Sequence, residues 1–354
     1  MSRVRIDAQK LKQEVIEFNS QLIETYQTLK RLPNIEMGQT PAETLLHIDK
    51  MRLKYYQPET PSTEHPPLLI CYALVNRPYM IDLTPERSLL RKLLDKGIAV
   101  YLVDWGYPDA SDRYLDLDDY INYYLDRCVD KACEHANINK MNLMGICQGG
   151  TFSLCYTALH PEKIARLITL VTPVDFHTDD FTLSHLARHV DADLAVSTYG
   201  NIPGTLLNDT YQSLMPMRLG LKKNLDLPFT LADEQNAITY LTMEKWIEDS
   251  PDQAGKAFAE FMKHFFQENR LIKDALDIGH HEVRLNRITQ PVLNIYATQD
   301  HLVPPSSSKA LQGLTSSRLY REKSIASGHI GIFVSSKQGN QLSEAISNWL
   351  SADL

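Results

Sequence analysis

The stretch Met141-Asn142-Leu143-Met144-Gly145-Ile146-Cys147-Gln148-Gly149-Gly150 decides how the rest of the chain is read. A short apolar run enters Gly145, and a helical pattern from Thr151 to His160 follows Gly150. This is a strand–turn–helix layout of the form G-x-C-x-G, with Cys147 at the apex of a sharp turn. Such a turn is strained, so the residues two positions to either side must lack bulky side chains. The turn lifts the Cys147 side chain above the strand ends. It also sets the thiol at a helix N-terminus, where the positive end of the backbone dipole favours a thiolate. A buried packing cysteine beside a glycine-rich turn is the bland alternative. The strand before and the helix after argue against it.

Outward from this elbow, LLICYAL (68–74), GIAVYLVDW (97–105), LITLVT (167–172) and VLNIYA (292–297) are short, near-continuous apolar runs. Runs of this kind suit strands buried on both faces of a parallel sheet. Helical patterns lie between them: Tyr120, Ile121, Tyr124, Leu125, Cys128 and Ala132 share one face. The alternation predicts an α/β fold, a mostly parallel sheet with flanking helices and right-handed crossovers. MRLKYY (51–56) reads as a half-buried edge strand. From 174 to 287 the rhythm stops. This stretch has helix-like segments and Phe258, Phe261, Phe265 and Phe266 at helical spacing, expected as cap core rather than substrate contacts. About 110 residues are too many for a structureless loop, which predicts a mostly helical cap inserted before the strand VLNIYA. The expected division is an N-terminal helical segment (1–50), a core (51–173 and 288–354) and a cap or lid (174–287). In the first segment Leu11, Val15, Phe18, Leu22, Tyr26 and Leu29 form a stripe. The expected reading is a helix packed on its own domain, with a partner-binding helix as the alternative, since a stripe does not identify its partner.

An elbow needs an acid and a base, in the order nucleophile, Asp/Glu, His. Asp300 follows VLNIYA in Thr298-Gln299-Asp300-His301, at the end of the strand where the elbow also emerges. His329 stands in the glycine-flanked Ser327-Gly328-His329-Ile330-Gly331, before a C-terminal helix. The order is met. His301 is a competing or auxiliary base. Two backbone N–H groups should form the oxyanion hole. One belongs to Gln148, the residue after the nucleophile. The other lies in the loop after LLICYA, with Val75 first and Asn76 as runner-up. His185 and His189 are spaced i, i+4 and could bind zinc, but no H-E-x-x-H accompanies them, so solvent-facing or capping roles are expected and no metal. No GxxxxGK[ST] or GxGxxG occurs, so no nucleotide-type cofactor is indicated.

Composition narrows the class. Lys+Arg 36 against Asp+Glu 44 gives a net charge of -8, which argues against a nucleic-acid partner. Five cysteines, an odd number without CxxC, fit a reducing compartment. The N-terminal stretch has no apolar core of signal-peptide length and no run of about 18 apolar residues occurs, so a cytoplasmic protein is expected.

LLICYALVNRPYMIDL (68–83), VYLVDWGYPD (100–109), LDLDDYI (115–121), GICQGG (145–150), TPVDF (172–176), GNIPG (200–204), MEKWIEDSPDQAG (243–255), QDHLVPP (299–305) and GHIG (328–331) resemble polyhydroxyalkanoate synthases. The catalytic subunit of the two-component class III type is the nearest likeness, with class IV as runner-up. The resemblance implies an α/β-hydrolase fold and an acyltransferase. It implies an (R)-3-hydroxyacyl-CoA substrate of short chain, such as 3-hydroxybutyryl-CoA, and no cofactor beyond that thioester. A covalent acyl-thioester on Cys147 would lengthen a polyester with CoA release, and His329 would be the general base. Asp300 would orient His329 or promote attack by the 3-hydroxyl. Also implied are a second synthase subunit, a homodimer and a place at the polyester granule surface. A cysteine-dependent thioesterase or hydrolase of the same fold is the alternative; a non-catalytic scaffold is the third reading.

Overall fold

A computed structural model describes residues 8–32, 34–62, 66–215 and 223–352. In chain order its strands are β1 (Glu43–Ile48), β2 (Met51–Tyr56), β3 (Leu68–Cys71), β4 (Asp82–Thr84), β5 (Arg87–Ser88), β6 (Val100–Asp104), β7 (Met141–Ile146), β8 (Ile164–Leu170), β9 (Leu276–Ile278), β10 (His281–Val283), β11 (Val292–Ala297) and β12 (Tyr320–Ile325). Eight of these form one sheet in the order β1-β2-β6-β3-β7-β8-β11-β12, and β4–β5 and β9–β10 are separate small hairpins. Pairing is antiparallel from β1 through β2 to β6 and parallel from β6 onward to β12. The five apolar runs became β3, β6, β7, β8 and β11.

Alternation along β3 explains why its sequence is apolar throughout. Leu69 and Cys71 face a core that includes Cys128, Val129 and Phe152. Leu68 and Ile70 face a second core with Leu89, Leu93, Leu342 and Trp349. Each strand face is thus covered by helices, and no position is left for a polar residue. The helix Gln148–Leu159, which follows the elbow, is buried along eleven of its residues, from Gln148 to Ala158, so it has no solvent face to read as amphipathic.

Two expectations need correction. MRLKYY is β2, but it is not the edge, because β1 lies outside it. For the same reason the boundary at residue 50 cuts through the β1–β2 hairpin, so the N-terminal segment is not purely helical. ETLLHI gave little signal because an edge strand needs only partial burial, and three of its residues are exposed. The second edge, β12, is YREKSI, with four consecutive exposed residues, and periodicity had nothing to register there.

The N-terminal helix, Ala8–Arg31, rests on the inserted region. Thr25 Oγ1 donates to the Pro228 carbonyl at 2.7 Å and Thr28 Oγ1 to the Ala232 carbonyl at 2.8 Å. Its stripe is largely open to solvent: Val15 is 51% and Tyr26 60% exposed. Among the described residues the insertion between β8 and β11 holds helices Thr182–Ala187, Ala192–Tyr199, Gly204–Ser213, Lys223–Ala232, Glu234–Glu248 and Gly255–Phe261, the last running on into a π-turn over Met262–Gln267. Phe261 and Phe265 pack with Phe176 and Phe181, so these aromatics are core. Phe258 joins a small separate cluster with Ala187 and Met262. The hairpin β9–β10 within this insertion was not expected.

No helix among the described residues is long and apolar enough to cross a membrane.

Candidate active site

The sheet order places the carboxyl ends of β3 and β7 side by side, with those of β8, β11 and β12 beyond. Cys147 follows β7 at φ 53, ψ -124, a left-handed backbone that non-glycine residues rarely hold. Its N–H donates to the Leu170 carbonyl, and its own carbonyl accepts from Gly150 N–H at 2.9 Å, which closes the turn. The glycines permit the close approach. A Cβ on Gly149 would sit 2.3 Å from the Cys71 carbonyl oxygen, and one on Gly145 2.4 Å from the Gly150 Cα.

His329, after β12, and Asp300, after β11, meet at the same end. His329 Nδ1 lies 2.7 Å from Asp300 Oδ2, and both side chains are nearly closed to solvent. The other carboxylate oxygen, Oδ1, accepts from Leu302 N–H and Val303 N–H at 2.9 Å each. Cys147 lies within electrostatic and hydrogen-bonding reach of His329. With Nδ1 held by Asp300, the ring nitrogen left for the thiol is Nε2. Burial pulls the His329 pKa down, but the neighbouring Asp300 carboxylate, the Cys147 sulfur and the Asp300 hydrogen bond outweigh it. The net is well above the ordinary histidine value. The structure therefore brings Cys147, His329 and Asp300 into one chain of contacts. His301 is half-buried in the Asp300 loop, and Asp300 Oδ2 bonds His329.

The β3 loop is held on several sides. Leu74 N–H donates to the Gln148 side-chain Oε1 at 3.0 Å, Trp105 Nε1 to the Tyr72 carbonyl at 2.9 Å, and Trp246 Nε1 to the Arg77 carbonyl at 2.9 Å. Leu74 N–H is thereby engaged. Among the described residues no acceptor takes the Val75 N–H or the Gln148 N–H. Asn76 is buried and left-handed, at φ 57. Arg77 bonds the Gly106 carbonyl and pairs with buried Asp104, which also takes Lys54 at 2.9 Å. Burial opposes the Asp104 charge, but Arg77 and Lys54 overcome it and hold the carboxyl below its usual range.

The cap closes over this end. Met243 and Ile247 of the helix Glu234–Glu248 are half-buried against a cluster that also touches Val75 and Cys147, and Trp246 is inside it. Tyr211, on the helix Gly204–Ser213, and Tyr72 lie within electrostatic reach of Cys147; burial and that charge together push both phenols up. Neither tyrosine was foreseen. Tyr72 sits inside an apolar run, and nothing in spacing marks Tyr211. His185 is engaged by the Asp179 carbonyl and Asp191 caps the helix Ala192–Tyr199. No group of three or more His, Cys, Asp or Glu side chains is placed to hold a metal ion among the described residues.

The arrangement can make a thiolate, accept its proton and stabilise an oxyanion, which suits acyl transfer. Residues 66–336 match the family described as "alpha/beta hydrolase fold", and residues 13–93 match "Poly-beta-hydroxybutyrate polymerase (PhaC) N-terminus". The chain is 50% identical over 352 residues, 99% of both chains, to "Poly(3-hydroxyalkanoate) polymerase subunit PhaC" of Allochromatium vinosum. It is 47% identical over 351 residues, 99% of both, to the protein of that name in Thiocystis violacea. Among solved structures, a monoacylglycerol lipase of Paleococcus ferrophilus aligns with TM-score 0.51 at 18% identity, over 84% of this chain and 98% of the lipase, a likeness of fold alone. Fold, elbow and near-full-length identity converge: the chain belongs to the poly(3-hydroxyalkanoate) polymerase (PhaC) family and is an acyltransferase built on an α/β-hydrolase fold.

Proposed function

We propose that the chain polymerises short (R)-3-hydroxyacyl-CoA thioesters, 3-hydroxybutyryl-CoA foremost, through an acyl thioester on Cys147. His329 Nε2 takes the Cys147 proton, and the sulfur attacks the thioester carbonyl. The tetrahedral oxyanion lies against the Gln148 and Val75 N–H groups. Collapse expels CoA thiolate, which leaves with the proton from His329. A 3-hydroxyl of another acyl unit then gives its proton to His329 and attacks the Cys147 thioester. An ester bond forms, and the thiol leaves reprotonated. The CoA thioester and the Cys147 thioester are close in energy, so the bound acyl group stays reactive, which a serine ester would not allow so readily.

Asp300 orients His329 and stabilises its charged form. Both its oxygens are engaged, one by His329 and one by its own loop, which supports this role over direct contact with the attacking hydroxyl. The observation that carries the proposal is the Cys147–His329–Asp300 contact chain in a protein half-identical to named polymerases. The cap over Cys147 keeps water from competing with the hydroxyl. Apart from the thioester substrate no cofactor is needed in this scheme. We also place the chain in the cytoplasm at the granule surface, as a homodimer working with a second subunit; the word "subunit" in the relatives' names supports the last point.

Product analysis tests the reading. Incubation with (R)-3-hydroxybutyryl-CoA should give free CoA and an insoluble polyester. Free CoA with soluble 3-hydroxybutyrate alone would make the protein a hydrolase.

A further inference from the structure

One helical turn of the cap grips both loops that frame the site. Asp249 caps the C-terminus of the helix Glu234–Glu248. Its Oδ2 accepts from the Tyr79 hydroxyl at 2.5 Å and its Oδ1 from the Tyr107 hydroxyl at 2.7 Å. Tyr79 belongs to the loop after β3 and Tyr107 to the loop after β6. Three residues earlier on the helix, Trp246 Nε1 donates to the Arg77 carbonyl. Arg77 closes the circle: its guanidinium lies 4.2 Å from the Tyr107 ring centre and bonds the Gly106 carbonyl. The helix Gly204–Ser213 leans on the end of that helix and the segment after it, with Asn208 Nδ2 on the Ile247 carbonyl and Gly204 N–H on Asp252.

We propose that Asp249 is a positioning residue whose paired grip on Tyr79 and Tyr107 couples the seating of the cap to the placement of the Val75 N–H. The inference rests on the oxyanion role given to that loop above. It goes further, because it makes the hole complete only when the cap is down.

The backbone between Leu74 and Arg77 links the cap to the Val75 N–H. Leu74 is held from below by Gln148. Arg77 is held from above by Trp246 and, through Tyr79 two residues on, by Asp249. Between them Asn76 occupies a left-handed conformation, which an L-residue abandons when its neighbours release it. Loosening the upper attachment therefore lets Val75 rotate out of place while Cys147, Gln148 and His329 stay. The tyrosines are suited to the task. Burial first, then the bond to Asp249, raise both phenols, Tyr107 to about 12, so both remain donors and the carboxylate is matched by two O–H groups. Asp249 has no place in the chemistry itself; it acts through Tyr79 and Arg77.

The test compares Asp249→Ala, Asp249→Asn, Tyr79→Phe, Tyr107→Phe and Tyr79→Phe/Asp249→Ala with the wild-type chain. Acylation of Cys147 by (R)-3-hydroxybutyryl-CoA is followed in single turnovers, and hydrogen exchange over 72–80 is followed without substrate. Asp249→Ala should slow acylation about tenfold or more, a part of the roughly 10²–10³-fold that losing an oxyanion donor outright costs, with the acylated fraction and the half-saturating thioester concentration kept within about twofold. Exchange over 72–80 should rise. Asp249→Asn, which keeps one acceptor oxygen, should fall between. The double variant should be no slower than Asp249→Ala. A merely loosened fold would lower the acylated fraction instead, and that result overturns the proposal. So does acylation within about twofold of wild type. If Asp249→Ala does not fold, the two Phe variants decide by the same criteria. If wild type forms no Cys147 adduct, the oxyanion reading fails. The exchange comparison then still judges the latch, and unchanged exchange overturns it.

Discussion

His329 Nδ1 sits 2.7 Å from Asp300 Oδ2, while Asp300 Oδ1 takes two backbone N–H groups of its own loop. One carboxylate thus fixes both the imidazole and the turn that presents it. Replacing Asp300 by Ala leaves a buried histidine and two loop amides, one buried and one part-buried, without their partner. It should cost about 3 kcal/mol in urea unfolding, the scale of breaking a buried pair. Asp300→Asn keeps an acceptor for the loop and should cost less.

The same pair gives a pH dependence with a definite sign. The His329 pKa is raised in the folded protein above an unfolded value of about 6.5. Stability from this proton is therefore full below about 6.5 and is lost as pH rises through the folded value. A ring titration of His329 followed by NMR should show Asp300→Asn and Cys147→Ala each lowering its pKa, the former by more. A titration unmoved by Asp300→Asn would remove Asp300 from this role.

Asp104 gives the opposite dependence. Arg77 and Lys54 hold its carboxyl low against burial, so its contribution is present above an unfolded value of about 3.9 and fades as pH falls through the folded one. Asp104→Asn should destabilise at neutral pH by about 3 kcal/mol, and the gap to wild type should shrink in acid. Unfolding midpoints at several pH values check this.

The glycines of the elbow make a steric prediction. In Gly149→Ala the new Cβ would meet the Cys71 oxygen and, at 2.6 Å, the Tyr72 carbonyl carbon. Both are backbone of β3 and its loop, which cannot swing aside as a side chain does. The variant should lose about 2 kcal/mol or more in thermal unfolding, and acylation should fall further than stability.

What was legible in the sequence follows from burial. Strands β3, β6, β7, β8 and β11 are covered on both faces and announced themselves as apolar runs. Strands β1 and β12 are edges, where Thr44, His47, Glu322 and Lys323 are free to be polar, and they passed unseen. Cys147, Asp300 and His329 could be singled out because an elbow dictates glycines and a chain order, and the fold brings the Asp300 and His329 side chains together. Tyr211 and Asp249 were not, because their meaning depends on how the cap folds back over the sheet, and no local spacing encodes that. The apolar stripe of the first helix was correctly seen, but its neighbour, the helix Lys223–Ala232, lies some two hundred residues on.

The most direct test of the central claim is the covalent state of Cys147. The protein is mixed with (R)-3-hydroxybutyryl-CoA, quenched in acid within a turnover and digested for mass spectrometry. The account predicts a 3-hydroxybutyryl group on the peptide bearing Cys147, released by hydroxylamine, with one CoA freed per adduct. Cys147→Ala should give neither adduct nor CoA release above background. An adduct on another residue, or CoA release that persists in Cys147→Ala, would contradict the account.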